Sequence, residues 1–505
     1  MAKNTQLIIL VFCFIKLALH LLADSHSGFQ GDELLHIETG NHLAFGFMEF
    51  PPFIGILAFI QNLFHSDSIF IHHLFTHLAS ILIIIYVAKT TVELGGKDKA
   101  VFLVLLGIII APGFGRSQQL FQPVVFSQLF WVLSFYQLVK FVKELDKKNL
   151  WYLAIFVVLG FSSKYDTIFF IFGLSSLFLF KRTREALIQH KVWQMILLSS
   201  LFVLPNLIWQ YKNNFPALQM FGRLYEMQLE KISRIENLGQ LIVAINPLNL
   251  LLIVPSFIWF MGKKDKEINR PLSISILLSF LFLLGSNGKA YYFFSIILTI
   301  LPFGGLYWEQ NILVNRKWIL YPLSIILLLG GVLIPFGLPI YTFEKYLTRF
   351  QKYEKSVIKG GKQVIRSEEY YSSQKWGKTM HELQSVYDSL PVNEKKNCLI
   401  WGKHYSQAGA VKLWGGVHNL PKAFSYHGSF YTWSPKGEMP EVTIALSYQV
   451  GDFFKPYFDE VTQVRTIYNP YADTEEELYQ HIYICKKPRQ DFDKMKVLFE
   501  KRIFE

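Results

Sequence analysis

The sequence lacks the features on which several common classes of protein depend. It holds only three cysteines, Cys13, Cys398 and Cys485, without the spacing of a metal site or a redox motif. It contains no glycine-rich phosphate loop and no dinucleotide-binding fingerprint. Charged residues make up 17% of the chain and are almost missing from the centres of its apolar segments, where a transporter places ionisable groups. Nucleotide-dependent enzymes, redox proteins and ion-coupled transporters are therefore disfavoured.

What the sequence has instead is long apolar segments. Hydrophobic residues make up 51% of the chain and aromatic residues 16%, with a mean hydropathy of +0.28. The apolar residues come in about eleven segments, most of them near the roughly 20 residues that a membrane-spanning helix needs. We therefore predict a polytopic α-helical membrane protein. The candidate spans lie near 5–23, 69–92, 101–112, 123–142, 150–163, 166–180, 192–209, 239–260, 271–286, 290–307 and 318–341.

The net charge of +12 is explained by membrane topology and not by nucleic acid. With a cytoplasmic N-terminus, most Lys and Arg of the short loops fall on the cytoplasmic side, as the positive-inside rule requires. The first apolar segment has no cleavage site followed by a soluble domain, so we interpret it as an uncleaved span. An odd number of spans then places the C-terminal part outside the cytoplasm, and we predict a location in the plasma (inner) membrane.

The composition divides the chain into two predicted domains. Residues 1–342 form the transmembrane domain, and residues 343–505 alternate helix and strand signals as one small extracytoplasmic α/β domain does. In this second domain the pattern predicts helices over 374–390, 404–416 and 491–504, and strands over 397–401, 442–448 and 481–486. Cys398 and Cys485 both lie in strand-like segments of this second domain. Buried thiols and a disulfide both fit that setting, and buried thiols are favoured.

The first outside loop, residues 24–68, is acidic and ends in a short apolar segment. That segment, 53–64, is too short to span a membrane and suits a helix lying in the interface. The part of the loop before it carries no Lys or Arg. Its carboxylates are Asp24, Asp32, Glu33, Glu38 and Glu49.

Asp32 and Glu33 are the candidate catalytic residues. We expect them on a loop pressed against the membrane, where partial loss of solvent raises the basicity of a carboxylate. A solvated pair that follows a helix end is the alternative interpretation. His36 stands four residues after Asp32 and is a candidate to assist it.

Cations are scarce at the outside ends of the predicted spans, so those present are candidates for binding an anion. Arginine suits the forked recognition of phosphate, lysine acts as a point charge, and a neighbouring tyrosine donates hydrogen bonds. Snorkelling anchors and the interfacial aromatic belt are the alternative explanation. The candidates are Arg116, Lys164, Tyr165, Arg223, Lys289 and Tyr291.

Histidines at the start of the second span have the spacing of possible metal ligands. These are His72, His73 and His77. No convincing carboxylate or cysteine partner accompanies them, so we predict neither a metal site nor a cofactor.

Residues 29–60 resemble the first outer loop of a known family: an Asp-Glu pair, a spaced glycine, and Pro-Pro before an interfacial helix. The resemblance continues in five further segments and covers most of the chain. In order and spacing these segments resemble GT-C fold membrane glycosyltransferases of the protein mannosyltransferase and aminoarabinose transferase-like family. The further segments are 159–174, 204–219, 288–302, 402–415 and 420–433.

The resemblance implies a fold, a reaction and roles for individual residues. The expected reaction moves a sugar from a polyprenyl-phosphate donor to a glycolipid, polysaccharide or protein acceptor outside the cytoplasm, with inversion. Asp32 is then the catalytic carboxylate with Glu33 beside it. Lys164 and Lys289 are expected to face the donor phosphate.

Two positions depart from the family pattern, and two other functions stay open. Similar proteins often have His where this chain has Phe50, and Asn where it has Gly428; both differences bear on substrate identity more than on reaction type. The alternatives are a polytopic transporter or flippase and a non-enzymatic protein of envelope assembly.

Overall fold

A computed structural model describes residues 2–227, 229–262, 266–350, 368–450, 452–472 and 476–504. Helices dominate the chain, and five strands follow in its C-terminal part. The helices are α1 (Lys3–Asp24), α2 (Gly31–Thr39), α3 (Phe53–Asn62), α4 (Ile69–His72), α5 (Leu74–Glu93), α6 (Asp98–Ile109), α7 (Pro112–Gln119), α8 (Pro123–Glu144), α9 (Lys147–Ser163), α10 (Thr167–Leu174), α11 (Lys181–Gln189), α12 (Val192–Lys212), α13 (Pro216–Met227), α14 (Arg234–Ala244), α15 (Leu250–Met261), α16 (Lys266–Gly285), α17 (Phe294–Tyr307), α18 (Leu320–Leu329), α19 (Phe343–Phe350), α20 (Glu369–Ser389), α21 (Val392–Lys395), α22 (Tyr405–Trp414) and α23 (Phe492–Phe499).

Seven helical segments in the described part of the chain are long and apolar enough to cross a membrane, or nine if two bent pairs each count as one span. The bends are 71° between α6 and α7 and 94° between α14 and the helix that begins at Pro247. In both pairs a proline opens the second helix, where it cannot continue the hydrogen bonding of the first. The chain is thus a multi-pass membrane protein, but the predicted count of eleven spans is not confirmed. Proline breaks and short helices such as α9, with 17 residues, account for the difference.

The helices differ in how much apolar surface they expose. Of the 22 residues of α8, 17 are buried. Helix α12 instead exposes large apolar side chains, among them Leu197, Leu201 and Phe202. An exposed apolar surface on so long a helix is expected where lipid, and not water, surrounds it.

The chain folds as two compact units. The first contains Met1–Leu21, Phe50–Phe53 and His73–Leu338. The second contains Leu22–Glu49, Ile54–His72 and Pro339–Glu505. Most of the loop 24–68, which the sequence analysis grouped with the transmembrane domain, therefore clusters with the C-terminal α/β block.

The second unit is built on a five-stranded sheet. Its strands are β1 (Leu399–Gly402), β2 (Ala423–Phe424), β3 (Val442–Ser447), β4 (Phe458–Tyr468) and β5 (Tyr479–Pro488), in the order β2-β1-β3-β5-β4. Strands β2, β1 and β3 run parallel to one another, and β5 pairs antiparallel with both β3 and β4. Trp401 of β1 is the centre of an aromatic core between the sheet and α23.

The predicted elements of this block are largely confirmed. The predicted segments correspond to β1, β3, β5, α20, α22 and α23. Strand β4 was missed, because it lies at the sheet edge with most of its side chains exposed and has no buried apolar alternation. Cys398 and Cys485 are free thiols and both are buried, as favoured from the sequence.

Candidate active site

Asp32 lies in the first turn of helix α2, in the second unit. Gln30 caps this helix: its side-chain oxygen accepts from the Asp32 N–H at 3.2 Å, and Glu33 Oε2 accepts from the Gln30 N–H at 2.8 Å. This reciprocal pair is a capping box, and the positive end of the helix dipole favours carboxylates there. The prediction that the Asp-Glu pair lies on a loop is therefore wrong. A glutamine cap followed by glycine gives a weak sequence signal for a helix start.

Glu33 has a structural contact of its own. Its side chain is fully buried, and its carboxylate holds the main chain of Gln30. Through this contact it fixes the helix start that carries Asp32. Its predicted place beside Asp32 in catalysis stays a prediction.

Tyr405 holds the side chain of Asp32. Its phenolic O–H donates to Asp32 Oδ1 at 2.6 Å, from the first residue of α22. Burial, together with the neighbouring Asp32 charge, raises the pKa of Tyr405 well above its usual value, so it remains a donor. The Tyr405 ring stacks on His427, with ring centroids 4.8 Å apart. Burial lowers the pKa of His427 well below its usual value, which favours the neutral imidazole.

A second carboxylate, Glu49, lies near Asp32 in the same unit. It is half-buried and accepts hydrogen bonds from the Ser429 N–H, at 2.8 Å, and from the Ser429 hydroxyl. Burial raises the pKa of Glu49 to about 7, with a further contribution from the negative charge of Asp32. The sequence indicates Glu49 only as one acid of the first loop. Nothing in its local pattern indicates that residues 428–429 enclose it.

The other end of α2 carries a separate charged cluster. Glu38 accepts from the Asn41 amide at 2.8 Å and lies 3.1 Å from His42 Nε2 and 3.4 Å from Lys412 Nζ. Burial pushes the pKa of Glu38 up, but the His42 hydrogen bond and the Lys412 charge outweigh it, so the pKa is lowered. His36 is buried one turn after Asp32 on the same helix, and its predicted assisting role stays a prediction.

In the first unit, Lys164 and Tyr165 lie beside a cavity of about 650 Å³ lined mainly by apolar side chains. Lys164 Nζ is 2.8 Å from Asp166 Oδ2 and lies over the rings of Tyr292 and Tyr291, 4.0 and 5.0 Å from their centroids. Tyr165 donates to Asn206. The structure thus brings Lys164, Tyr165 and Tyr291 together.

The remaining predicted phosphate ligands are not grouped with this cavity. The described residues that line the cavity do not include Arg116, Lys289 or Arg223. Arg223 is exposed and pairs with Glu226 at 3.8 Å. Their proposed contact with a phosphate stays a prediction.

The histidines considered as metal ligands fall in different units. His72 belongs to the second unit, where its Nε2 lies 2.9 Å from the carbonyl oxygen of Ser66. His73 and His77 belong to the first.

Comparison with known proteins identifies the fold. Residues 50–209 match the family model described as dolichyl-phosphate-mannose-protein mannosyltransferase. The structure is similar to ArnT from Cupriavidus metallidurans bound to undecaprenyl phosphate (TM-score 0.60, 9% identity, 95% of this chain and 98% of that chain). It is also similar to the same protein in the apo state (TM-score 0.62, 10% identity, 94% and 97%). No curated protein matches the chain.

With sequence identities of only 9% and 10%, these structural similarities establish the fold of the chain. It is the GT-C fold of mannosyltransferase and aminoarabinose transferase-like proteins, a polytopic helical membrane part with a small C-terminal α/β part. The fold inferred from the sequence resemblance is therefore confirmed.

Proposed function

We propose that this protein is an integral membrane glycosyltransferase that moves a sugar from a polyprenyl-phosphate donor to an acceptor outside the cytoplasm. The observation that carries the proposal is the carboxylate pair: Asp32, held by Tyr405 at a helix start, and Glu49, half-buried nearby with its pKa raised to about 7. Two carboxyl groups in different environments are the arrangement that glycosyl chemistry uses, because one takes a proton while the other stabilises charge.

The proposed reaction is a single displacement. Asp32 takes the proton of the acceptor hydroxyl as its oxygen bonds to the anomeric carbon. The bond from that carbon to the donor phosphate oxygen breaks, and its electron pair leaves with the lipid phosphate. Attack from the face opposite the leaving group inverts the anomeric centre. Ionised Glu49 stabilises the positive charge that develops on the sugar ring.

The donor lipid is assigned to the cavity of the first unit. Its apolar lining suits an isoprenoid chain, and Lys164 at its edge suits the phosphate, which would compete with Asp166 for the ammonium group. ArnT, whose fold this chain shares, has been observed with undecaprenyl phosphate bound, which supports a lipid of this class. This chemistry calls for no nucleotide or metal. The proposed location is the plasma (inner) membrane, with the second unit extracytoplasmic.

The test is sugar transfer in membranes that hold the full chain. A radiolabelled pool of polyprenyl-phosphate sugars is supplied, and Asp32→Asn is compared with the wild type at matched expression. Loss of a catalytic base should lower the rate by about 10²–10⁴-fold. Asp452→Asn, an exposed acid paired with Lys455, is the matched control and should transfer normally. Unchanged transfer by Asp32→Asn would refute the role of Asp32, and no transfer by any variant from a broad donor set would favour transport or assembly.

A further inference from the structure

The second unit contains a cavity that the proposed reaction does not use. It has a volume of about 300 Å³ and is lined by residues that precede α2, by one face of α20 and by the end of α22. We call it the Trp414 cavity. Its principal lining residues are Phe29, Asp67, Trp376, Gly377, Trp414 and His418.

The lining of the Trp414 cavity combines aromatic faces with hydrogen-bonding groups. The half-buried Trp414 ring lies 5.9 Å from Phe29, at 47° to it, and Trp376 is buried beside them. The polar groups are those of Asp67, His418 and two serines, and no Lys or Arg is among its lining residues in the described part of the chain. These polar groups argue against a lipid chain, which forms no hydrogen bonds with them. The lack of a cationic side chain argues against a phosphorylated ligand, because phosphate is usually bound by Lys or Arg. A sugar fits both features, because its C–H face packs on an aromatic ring while its hydroxyls bind the polar groups.

The walls of the cavity are held in place by hydrogen bonds to main-chain carbonyl groups and by close backbone packing. The Gly28 N–H donates to the Glu369 carbonyl at 3.0 Å, and the Trp376 ring N–H donates to the Phe29 carbonyl at 3.0 Å. A Cβ atom on Gly28 would lie 2.2 Å from the Ser373 nitrogen, so the two backbones touch there. The cavity is therefore formed before any ligand binds, which lowers the entropic cost of binding.

Gly377 keeps the cavity open. It lies inside α20, where glycine costs about 1 kcal/mol relative to alanine. A Cβ atom there would meet nothing within 4 Å, so no neighbouring atom of the protein requires a glycine. The position lines the cavity, and a side chain on it would project into the space that a ligand needs.

We propose that the Trp414 cavity binds a sugar residue of the acceptor, and hence that the acceptor is a glycan chain. This inference rests on the proposed function. Helix α22 begins at Tyr405, the partner of Asp32, and ends at Trp414. Nine residues of helix separate them by about 14 Å. An acceptor that reaches both ends of α22 must hold several linked sugars.

The experiment measures binding of the full-length protein in detergent to an array of short oligosaccharides of hexoses, N-acetylhexosamines and pentoses. Wild type is compared with Gly377→Leu, which fills the cavity and favours the helix, and with Trp414→Ala. Gly416→Leu is the matched control, because a Cβ there also meets nothing within 4 Å and the residue does not line the cavity. Asp32→Asn is included to separate binding from transfer.

We expect wild type, Gly416→Leu and Asp32→Asn to bind the same oligosaccharide. Gly377→Leu and Trp414→Ala should bind it at least about tenfold more weakly, a loss of about 1.4 kcal/mol. Equal binding by Gly377→Leu, or no binding of any arrayed oligosaccharide by the wild type, would overturn the proposal. The proposed function fails separately, if Asp32→Asn still transfers sugar.

Discussion

Gly428 and Glu49 are in direct contact, and the contact requires a glycine. A Cβ atom on Gly428 would lie 2.1 Å from Glu49 Oε1, and Gly428 has a φ of +57°, in the left-handed region. This geometry lets the next residue, Ser429, donate both its N–H and its hydroxyl to the carboxylate. The asparagine of similar proteins would not fit here unless Glu49 or the loop moved. The departure noted in the sequence thus has a structural consequence.

Gly428→Ala should therefore displace Glu49. We expect the free energy of unfolding to fall by about 1–3 kcal/mol, from backbone strain and weakened hydrogen bonds to the Glu49 carboxyl group. Transfer should fall by at least about tenfold. Thermal unfolding and transfer assays check this, with Gly416→Ala as the control because its surroundings are open. Wild-type behaviour of Gly428→Ala would contradict the contact.

Transfer should depend on the ionisation of Glu49. With a pKa of about 7, its carboxylate form becomes dominant as the pH rises through neutrality. We expect the transfer rate to rise over that range, because the ionised form stabilises positive charge on the sugar. A rate profile from pH 5.5 to 8.5 checks this (roughly one and a half units either side of the pKa). Glu49→Gln should be slower and lack the inflection, and an unchanged profile would argue against a role for Glu49.

The same pKa shift predicts how stability changes with pH. The folded-state pKa of Glu49 is raised from its usual 4.5 to about 7, so the folded state holds this proton more tightly than the unfolded state. Its stabilising effect is complete below pH 4.5 and is lost as the pH rises through about 7, a change of about 3 kcal/mol. His404, whose pKa is lowered from its usual 6.5 to about 3, contributes the opposite trend: the stability it adds is lost as the pH falls from 6.5 to about 3.

Comparing wild type with Glu49→Gln removes the histidine contribution, which both share. The stability of Glu49→Gln relative to wild type should increase from pH 5 to 7 and then level off (the range follows from the two pKa values). Unfolding in detergent at several pH values measures it. A constant difference would show that the carboxyl group is not protonated near neutrality.

Tyr405→Phe removes the donor to Asp32 and keeps the aromatic ring. The stacking on His427 is retained, so the fold should persist. A hydrogen bond to a charged group is worth about 1.5–3 kcal/mol, so we expect transfer to slow by about tenfold or more. Tyr479→Phe is the control, since Tyr479 is an exposed residue at the start of β5 whose ring packs on Tyr468. If Tyr405→Phe transferred sugar at the wild-type rate, the hydrogen bond would have no catalytic value.

Lys164→Gln should act on the donor. Removing the ammonium group leaves Asp166 without its ion-pair partner and the proposed phosphate without its cation. We expect the KM for the polyprenyl-phosphate sugar to rise and kcat to fall, by about tenfold together. Lys181→Gln, an exposed lysine paired with Glu185, is the control. Unaltered kinetics with Lys164→Gln would exclude its contact with the phosphate.

Several features of the molecule were predictable from local sequence. Apolar length identified a membrane protein, and the segment after Pro51-Pro52 forms the short helix α3 as expected. Strands β1, β3 and β5 followed from buried apolar runs. The number of spans was not predictable in the same way, because prolines inside apolar segments bend or break helices that composition alone presents as continuous.

The acidic loop shows what the local sequence could not predict, namely the partners of its carboxylates. Its sequence singled out Asp32 and Glu33 in a stretch without cations, but it indicated Glu49 only as one further acid of the loop. In the structure Glu33 caps a helix, and Glu49 accepts hydrogen bonds from Ser429. The two acids differ in their partners, and partners from distant segments leave no local signature.

The sequence by itself determined the class of protein, since the hydrophobic effect acts on composition and a run of apolar residues carries its own signal. It also marked Asp32. Only the tertiary structure decided what surrounds that carboxylate, because Tyr405 is 373 residues away along the chain and Ser429 is 380 residues from Glu49. Contacts at such separations, and the burial that raises the pKa of Glu49, exist only after the chain has folded.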